Sequence, residues 1–105
     1  MNRFVVAAAA LMTLAALPAT AAPSYGQCRE IVAQHSFMLE ARTGCNIRLR
    51  EDTSNLAYSC ATKLTDGHRE LAFAYGKMMA DKYIGTKGGR VCQDLRNDFS
   101  PLIRE

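Results

Sequence analysis

Positions at three- and four-residue steps dominate two long stretches of this chain, with short polar or glycine-rich breaks around them. In the first stretch Tyr25, Cys28, Val32, His35 and Leu39 keep that spacing. Ile31 and Met38 widen the stripe, while Arg29, Glu30, Gln34 and Glu40 fall mostly opposite. The pattern predicts an amphipathic helix over 24–42. Thr43 and Gly44 supply its stop, because glycine takes a left-handed cap without steric cost.

Between 45 and 52, Ile47 and Leu49 alternate with Arg48 and Arg50. That is enough for a very short extended piece, but the segment reads as a loop. Asp52, Thr53 and Ser54 are good N-cap residues and open the second stretch. There Ala57, Cys60, Leu64, Gly67, Leu71, Ala74 and Met78 alternate steps of three and four. The phase runs straight through Thr65-Asp66-Gly67, so one helix over about 53–84 is expected. Two shorter helices meeting near Asp66, with a break by Gly67, are the alternative. Cys60, Gly67 and Ala74 form a small-residue line along which a partner helix would pack closely. Gly85, Gly88 and Gly89 make a turn, and Val91, Cys92, Leu95 and Phe99 predict a last helix over 90–99. Ser100-Pro101 ends it and leaves Leu102-Ile103 as a tail. The expected fold is all-α, a helical hairpin plus a short C-terminal helix.

The N-terminus changes the picture of where this domain works. Met1-Asn2-Arg3 is a short basic start, Phe4 to Leu17 is almost entirely apolar, and Pro18 precedes Ala19-Thr20-Ala21. This order is that of a secretory signal peptide over 1–21, cleaved after Ala21, with 22–105 as a single domain. No cysteine follows the apolar run, so no lipid anchor is expected, and the twin-arginine pair is lacking. Nothing after Pro23 is apolar for the ~20 residues a membrane helix needs. The periplasm is the expected compartment, with secretion as the alternative.

The four cysteines Cys28, Cys45, Cys60 and Cys92 all lie beyond the signal segment. An even number in a short exported chain predicts disulfides, and the wide spacings suit neither a redox motif nor a zinc knuckle. In an antiparallel hairpin Cys45 lies beside Cys60, and Cys28 sits at the far end with Cys92. The pairs Cys45–Cys60 and Cys28–Cys92 are therefore expected.

Candidate chemistry is sparse. The formal charge is +3 and well mixed, which leaves no footprint for nucleic acid. With Cys45 opposite Cys60, His35 and His68 fall at similar heights on facing helices. They are weak candidates for a metal site or a pH sensor, against an unrelated pair. Met38, Met78 and Met79 read as core filling, with Met38 several turns from the other two. Arg48, Arg50, Lys87 and Arg90 lie in the two inter-helix loops, at opposite ends of the hairpin. They read as solubilising charge or a docking surface for an acidic partner. Ser36, Ser54, Ser59 and Ser100 lack a nucleophile-elbow context, and the acidic residues are dispersed, so no catalytic residue, cofactor or metal is assigned.

The expected role is a non-enzymatic protein-binding or inhibitor-like module. A pH-responsive stress chaperone and a structural homodimer are the alternatives. In architecture alone the chain resembles the periplasmic acid-stress chaperones of enteric bacteria and the small helical immunity proteins that neutralise cell-wall hydrolases. No functional residue carries over from either.

Overall fold

The first expected helix forms as α1 (Tyr25–Ala41) in the computed structural model, which describes residues 22–104. Residues 1–21, the segment expected to direct export, lie outside the described residues. Ser24 caps α1: its side chain accepts the Gln27 N–H while the Gln27 side chain accepts the Ser24 N–H, a reciprocal box that satisfies two orphan donors. Far from showing one buried stripe, α1 is the hub of the fold. It buries Gln34 and His35 together with Ile31, Val32, Phe37 and Met38, because helices cover it on more than one side.

The single long helix does not form. Two helices replace it, α2 (Glu51–Lys63) and α3 (Asp66–Lys87), the arrangement considered as the alternative. Leu64 turns extended, with ψ 149°, and buries its side chain between the helices. Thr65 then caps α3 by accepting the His68 N–H. Arg69 closes the break from below, donating Nε–H to the Ala61 carbonyl and Nη2–H to the Leu64 carbonyl. The helix-end carbonyls of α2 thus keep partners, as buried chain ends require. The break also resets the phase. Ala57, Cys60 and Leu64 are buried as expected, but in α3 the buried positions are Ala72, Gly76, Ala80 and Tyr83.

This break also overturns the expected disulfides, which are Cys28–Cys60 and Cys45–Cys92. Helix α2 starts beside the C-terminal end of α1 and runs back along it. Cys60 is ten residues in, about 15 Å at 1.5 Å per residue, which brings it to Cys28 with a Cα separation of 4.8 Å. Helix α3 then returns in the direction of α1, with His68 beside Tyr25 and Tyr83 against Phe37. Its end delivers Cys92 to Cys45, 5.3 Å between Cα atoms. An unbroken helix would have carried Cys92 to Cys28 instead. Two disulfides are consistent with an oxidising, exported compartment.

The C-terminal part is more ordered than a tail. A 3-10 turn (Gly88–Arg90) leads into α4 (Val91–Asp98), and a second turn (Ser100–Leu102) into β2 (Ile103–Arg104). Strand β2 pairs antiparallel with β1 (Arg48–Leu49), Arg48 opposite Arg104 and Leu49 opposite Ile103. The segment read as a loop is therefore partly extended, and Leu102 and Ile103 are core residues. Two glycine-assisted turns make this possible, since Gly44 and Gly88 have φ of 82° and 58°. Helix α2 begins at Glu51, so Asp52 is not its N-cap but lies in the first turn, where its carboxylate accepts from Arg50 and from the Thr53 N–H.

Two hydrophobic clusters result. One joins Ile31, Val32, Ala33, Ala57, Leu64 and Ala72 around the Cys28–Cys60 bridge. The other gathers Phe37, Met38, Tyr83, Leu95, Phe99 and Leu102 beside Cys45. Between them α3 crosses α1 at Gly76, where any Cβ would collide with the Ala33 carbonyl oxygen and lie 2.9 Å from the Phe37 nitrogen. The close approach expected along Cys60, Gly67 and Ala74 is made at Gly76 instead. Gly67 is exposed, with open space around it.

Candidate functional site

The two histidines are separated by the true register. His68 lies in the first turn of α3, where its Nδ1 is 2.7 Å from the Tyr25 hydroxyl. The same hydroxyl accepts the Thr65 N–H at 3.1 Å, so this trio ties the start of α1 to the break between α2 and α3. His35 is ten residues further along α1 than Tyr25, about 15 Å of rise. Among the described residues no group of three or more His, Cys, Asp or Glu side chains is placed to hold a metal ion.

His35 has a different setting. It is only 5 % exposed, and among the described residues neither ring nitrogen has a hydrogen-bond partner. Its ring meets the edge of Tyr58 from α2, with centroids 5.3 Å apart. Burial, and secondarily the Arg42 charge, hold its pKa below the usual imidazole value. His35 lines a cavity of about 280 Å³ between the C-terminal half of α1, the first turns of α2 and the β1–β2 pair. Arg42, Arg48 and Arg104 supply the charge of this cavity, Leu39, Leu49 and Tyr58 its apolar wall, and Ser54 a hydroxyl. Among the described residues none that lines it is acidic.

The remaining basic residues are distributed otherwise than expected. The two loops lie at one end of the molecule, because Cys45–Cys92 joins them and Arg96 donates to the Cys45 carbonyl at 3.0 Å. Lys87 and Arg90 both reach Asp94, at 3.4 and 3.8 Å, and Arg50 pairs with Asp52. Of the four loop cations picked out in the sequence, only Arg48 enters the cavity. Arg42 and Arg104 were missed. Arg104 had no local signal, because it joins the cavity only through the pairing of β2 with β1, and the alternation of Ile47 to Arg50 was the one available hint.

Helix α3 offers a second candidate surface. Its face of small residues, Ala72, Gly76 and Ala80, seats on α1. Leu71, Tyr75 and Met78, spaced by four and three, are 63 %, 45 % and 45 % exposed. Two of these, Leu71 and Met78, belong to the seam that the sequence predicts as buried. Met38 is instead buried in a core cluster against which the partly buried Met79 packs. No helix among the described residues is long and apolar enough to cross a membrane. No protein-family model, curated protein or solved structure matches this chain.

Proposed function

We propose that this chain is an exported, non-enzymatic binding protein of the periplasm that presents the outer face of α3 to an apolar groove on another protein. One observation carries the reading: α3 has two apolar faces and buries only the one that carries Ala72, Gly76, Ala80 and Tyr83. Single exposed apolar residues are ordinary, but large ones repeated at helical spacing on a face of one rigid helix mark an interaction surface. The scaffold supports the role. Gly76 fixes α3 on α1, one disulfide ties α1 to α2, and the other ties the connector after α1 to α4, so the face is presented with little ordering cost.

Leu71→Glu with Met78→Glu tests this. The oxidised wild-type protein is expected to retain a stoichiometric partner from periplasmic extract, and the double variant to lose it with an unchanged melting temperature. A partner kept by the variant would overturn the reading. Sedimentation of both proteins covers the homodimer: a wild-type dimer that the same pair of changes splits would make the partner a second copy.

The buried setting of His35 favours one further reading, a stress chaperone opened by acid. Protonating a buried imidazole costs packing free energy, and opening next to Tyr58 would expose the apolar seam of α1. Protection of an aggregating client at pH 3 but not at pH 7 is the expected result. Equal failure at both would remove it.

A further inference from the structure

The β1–β2 pair places Arg48 directly opposite Arg104. Like charges facing each other across a ladder destabilise it, and neither side chain pairs with a carboxylate among the described residues. Of the two acidic residues that follow β1, Glu51 is exposed and pairs with neither arginine, and Arg50 engages Asp52 with two bonds of 3.1 and 3.0 Å. Arg42 stands behind the pair, its Nη1 donating to the Ile47 carbonyl at 2.8 Å, which fixes the guanidinium at the cavity wall. Three cations thus converge on one cavity, and among the described residues no carboxylate lines it. His35 lines the same cavity, more than nine-tenths buried and, among the described residues, without a hydrogen-bond partner for either ring nitrogen.

We infer that this cavity binds a small molecule bearing a doubly charged oxyanion, a phosphate or a dicarboxylate, held between Arg48 and Arg104 with Arg42 behind. Guanidinium groups match such oxyanions because each presents parallel N–H donors to two oxygens at once. The anion removes the repulsion across the ladder. The volume, about 280 Å³, is just below the ~300–1,000 Å³ typical of small-molecule sites, so the ligand is compact. Leu39, Leu49 and the exposed ring of Tyr58 accept its carbon portion. The Ser54 hydroxyl adds a donor, and rotation of Tyr58 gives the ligand access to the His35 ring. This site is separate from the outer face of α3 and does not depend on the role proposed for that face.

Titration of the oxidised, isotope-labelled protein followed by NMR tests the inference, with inorganic phosphate and succinate as separate probes. Sodium chloride at matched ionic strength is the control. Saturable shifts at Ser54, Tyr58 and the Arg48 and Arg104 side chains are expected with at least one probe. Phosphate alone would define a phosphate site, succinate alone a dicarboxylate site, and both a general dianion site. Arg48→Gln and Arg104→Gln are each expected to weaken binding at least about tenfold, while Arg29→Gln, an exposed change elsewhere on α1, leaves it intact. Melting temperatures separate lost binding from lost folding: removing one arginine of a repelling pair should leave the free protein as stable or more stable. Linear shifts shared with chloride, or full affinity in the Arg48→Gln, Arg104→Gln double variant, would overturn the site.

Discussion

The two ends of α1 are built on different principles. At the Cys28–Cys60 end, helices pack on helices through aliphatic and small side chains, and hydrogen bonds close the break at Thr65. At the Cys45–Cys92 end, a connector, two short turns, a two-residue ladder and α4 are irregular pieces gathered around aromatic rings. Phe37, Tyr83 and Phe99 meet pairwise there at centroid distances of 5.2 to 6.1 Å. Helices satisfy their own backbone groups, so the first end needs little more than close packing. Short turns do not, and the second end depends on a large apolar anchor and a covalent tie.

The sharpest way to break this comparison is to remove the anchor. Phe99→Ala should cost about 3–5 kcal/mol and release 88–104, seen as lost hydrogen-exchange protection in β1 as well as β2. Ala57→Gly at the other end should cost only ~1 kcal/mol and leave that ladder protected. Equal loss of the ladder in both variants would contradict the division.

Removing the disulfides one at a time comes next. The closed loops are similar, with sequence separations of 32 and 47, so chain entropy predicts nearly equal losses of roughly 3–4 kcal/mol. Any excess beyond a few tenths of a kcal/mol on removing Cys45–Cys92 measures how far the irregular end relies on its tie. Urea unfolding of the two Cys→Ala pairs gives the difference.

The third test concerns the junction of the two clusters. Gly76→Ala should cost ~1–3 kcal/mol, because the methyl meets backbone of α1 rather than a flexible side chain. Gly67→Ala, with nothing within 4 Å, should instead stabilise by a few tenths to ~1 kcal/mol. Thermal melts of both variants decide.

The smallest effects are in pH, and they have opposite signs at the two extremes. His35 is held neutral by burial, so the unfolded chain takes up a proton near pH 6.5 that the folded chain resists. Stability is therefore full above about pH 6.5 and is lost as pH falls toward the lower folded value. His35→Asn should flatten that slope in urea midpoints between pH 5 and pH 7.5. Tyr83 is pushed well above the ordinary tyrosine value, first by burial and then by its 3.0 Å hydrogen bond to Asp98. The unfolded chain ionises first, so stability falls as pH rises beyond about 10. Tyr83→Phe should remove this alkaline loss at a cost near 1 kcal/mol at neutral pH.

Sequence reading alone reached the all-α class, the bounds of α1 to within a residue or two, the turn at Gly88 and the use of all four cysteines in disulfides. Periodicity, capping residues and glycine act locally, so one dimension is enough to read them. It could not decide the break at Leu64. The apolar steps continue across that point, and only the third dimension reveals that Arg69, Tyr25 and Thr65 jointly satisfy an interrupted backbone. Everything placed by that break followed: the disulfide partners, the exposure of Leu71 and Met78, and the separation of His35 from His68. The arginine cavity was the least legible feature. Arg42, Arg48 and Arg104 come from the end of a helix and from two strands of two residues each, brought together by a long-range ladder. Composition supplied the charges, and tertiary structure alone decided that three of them would share one space.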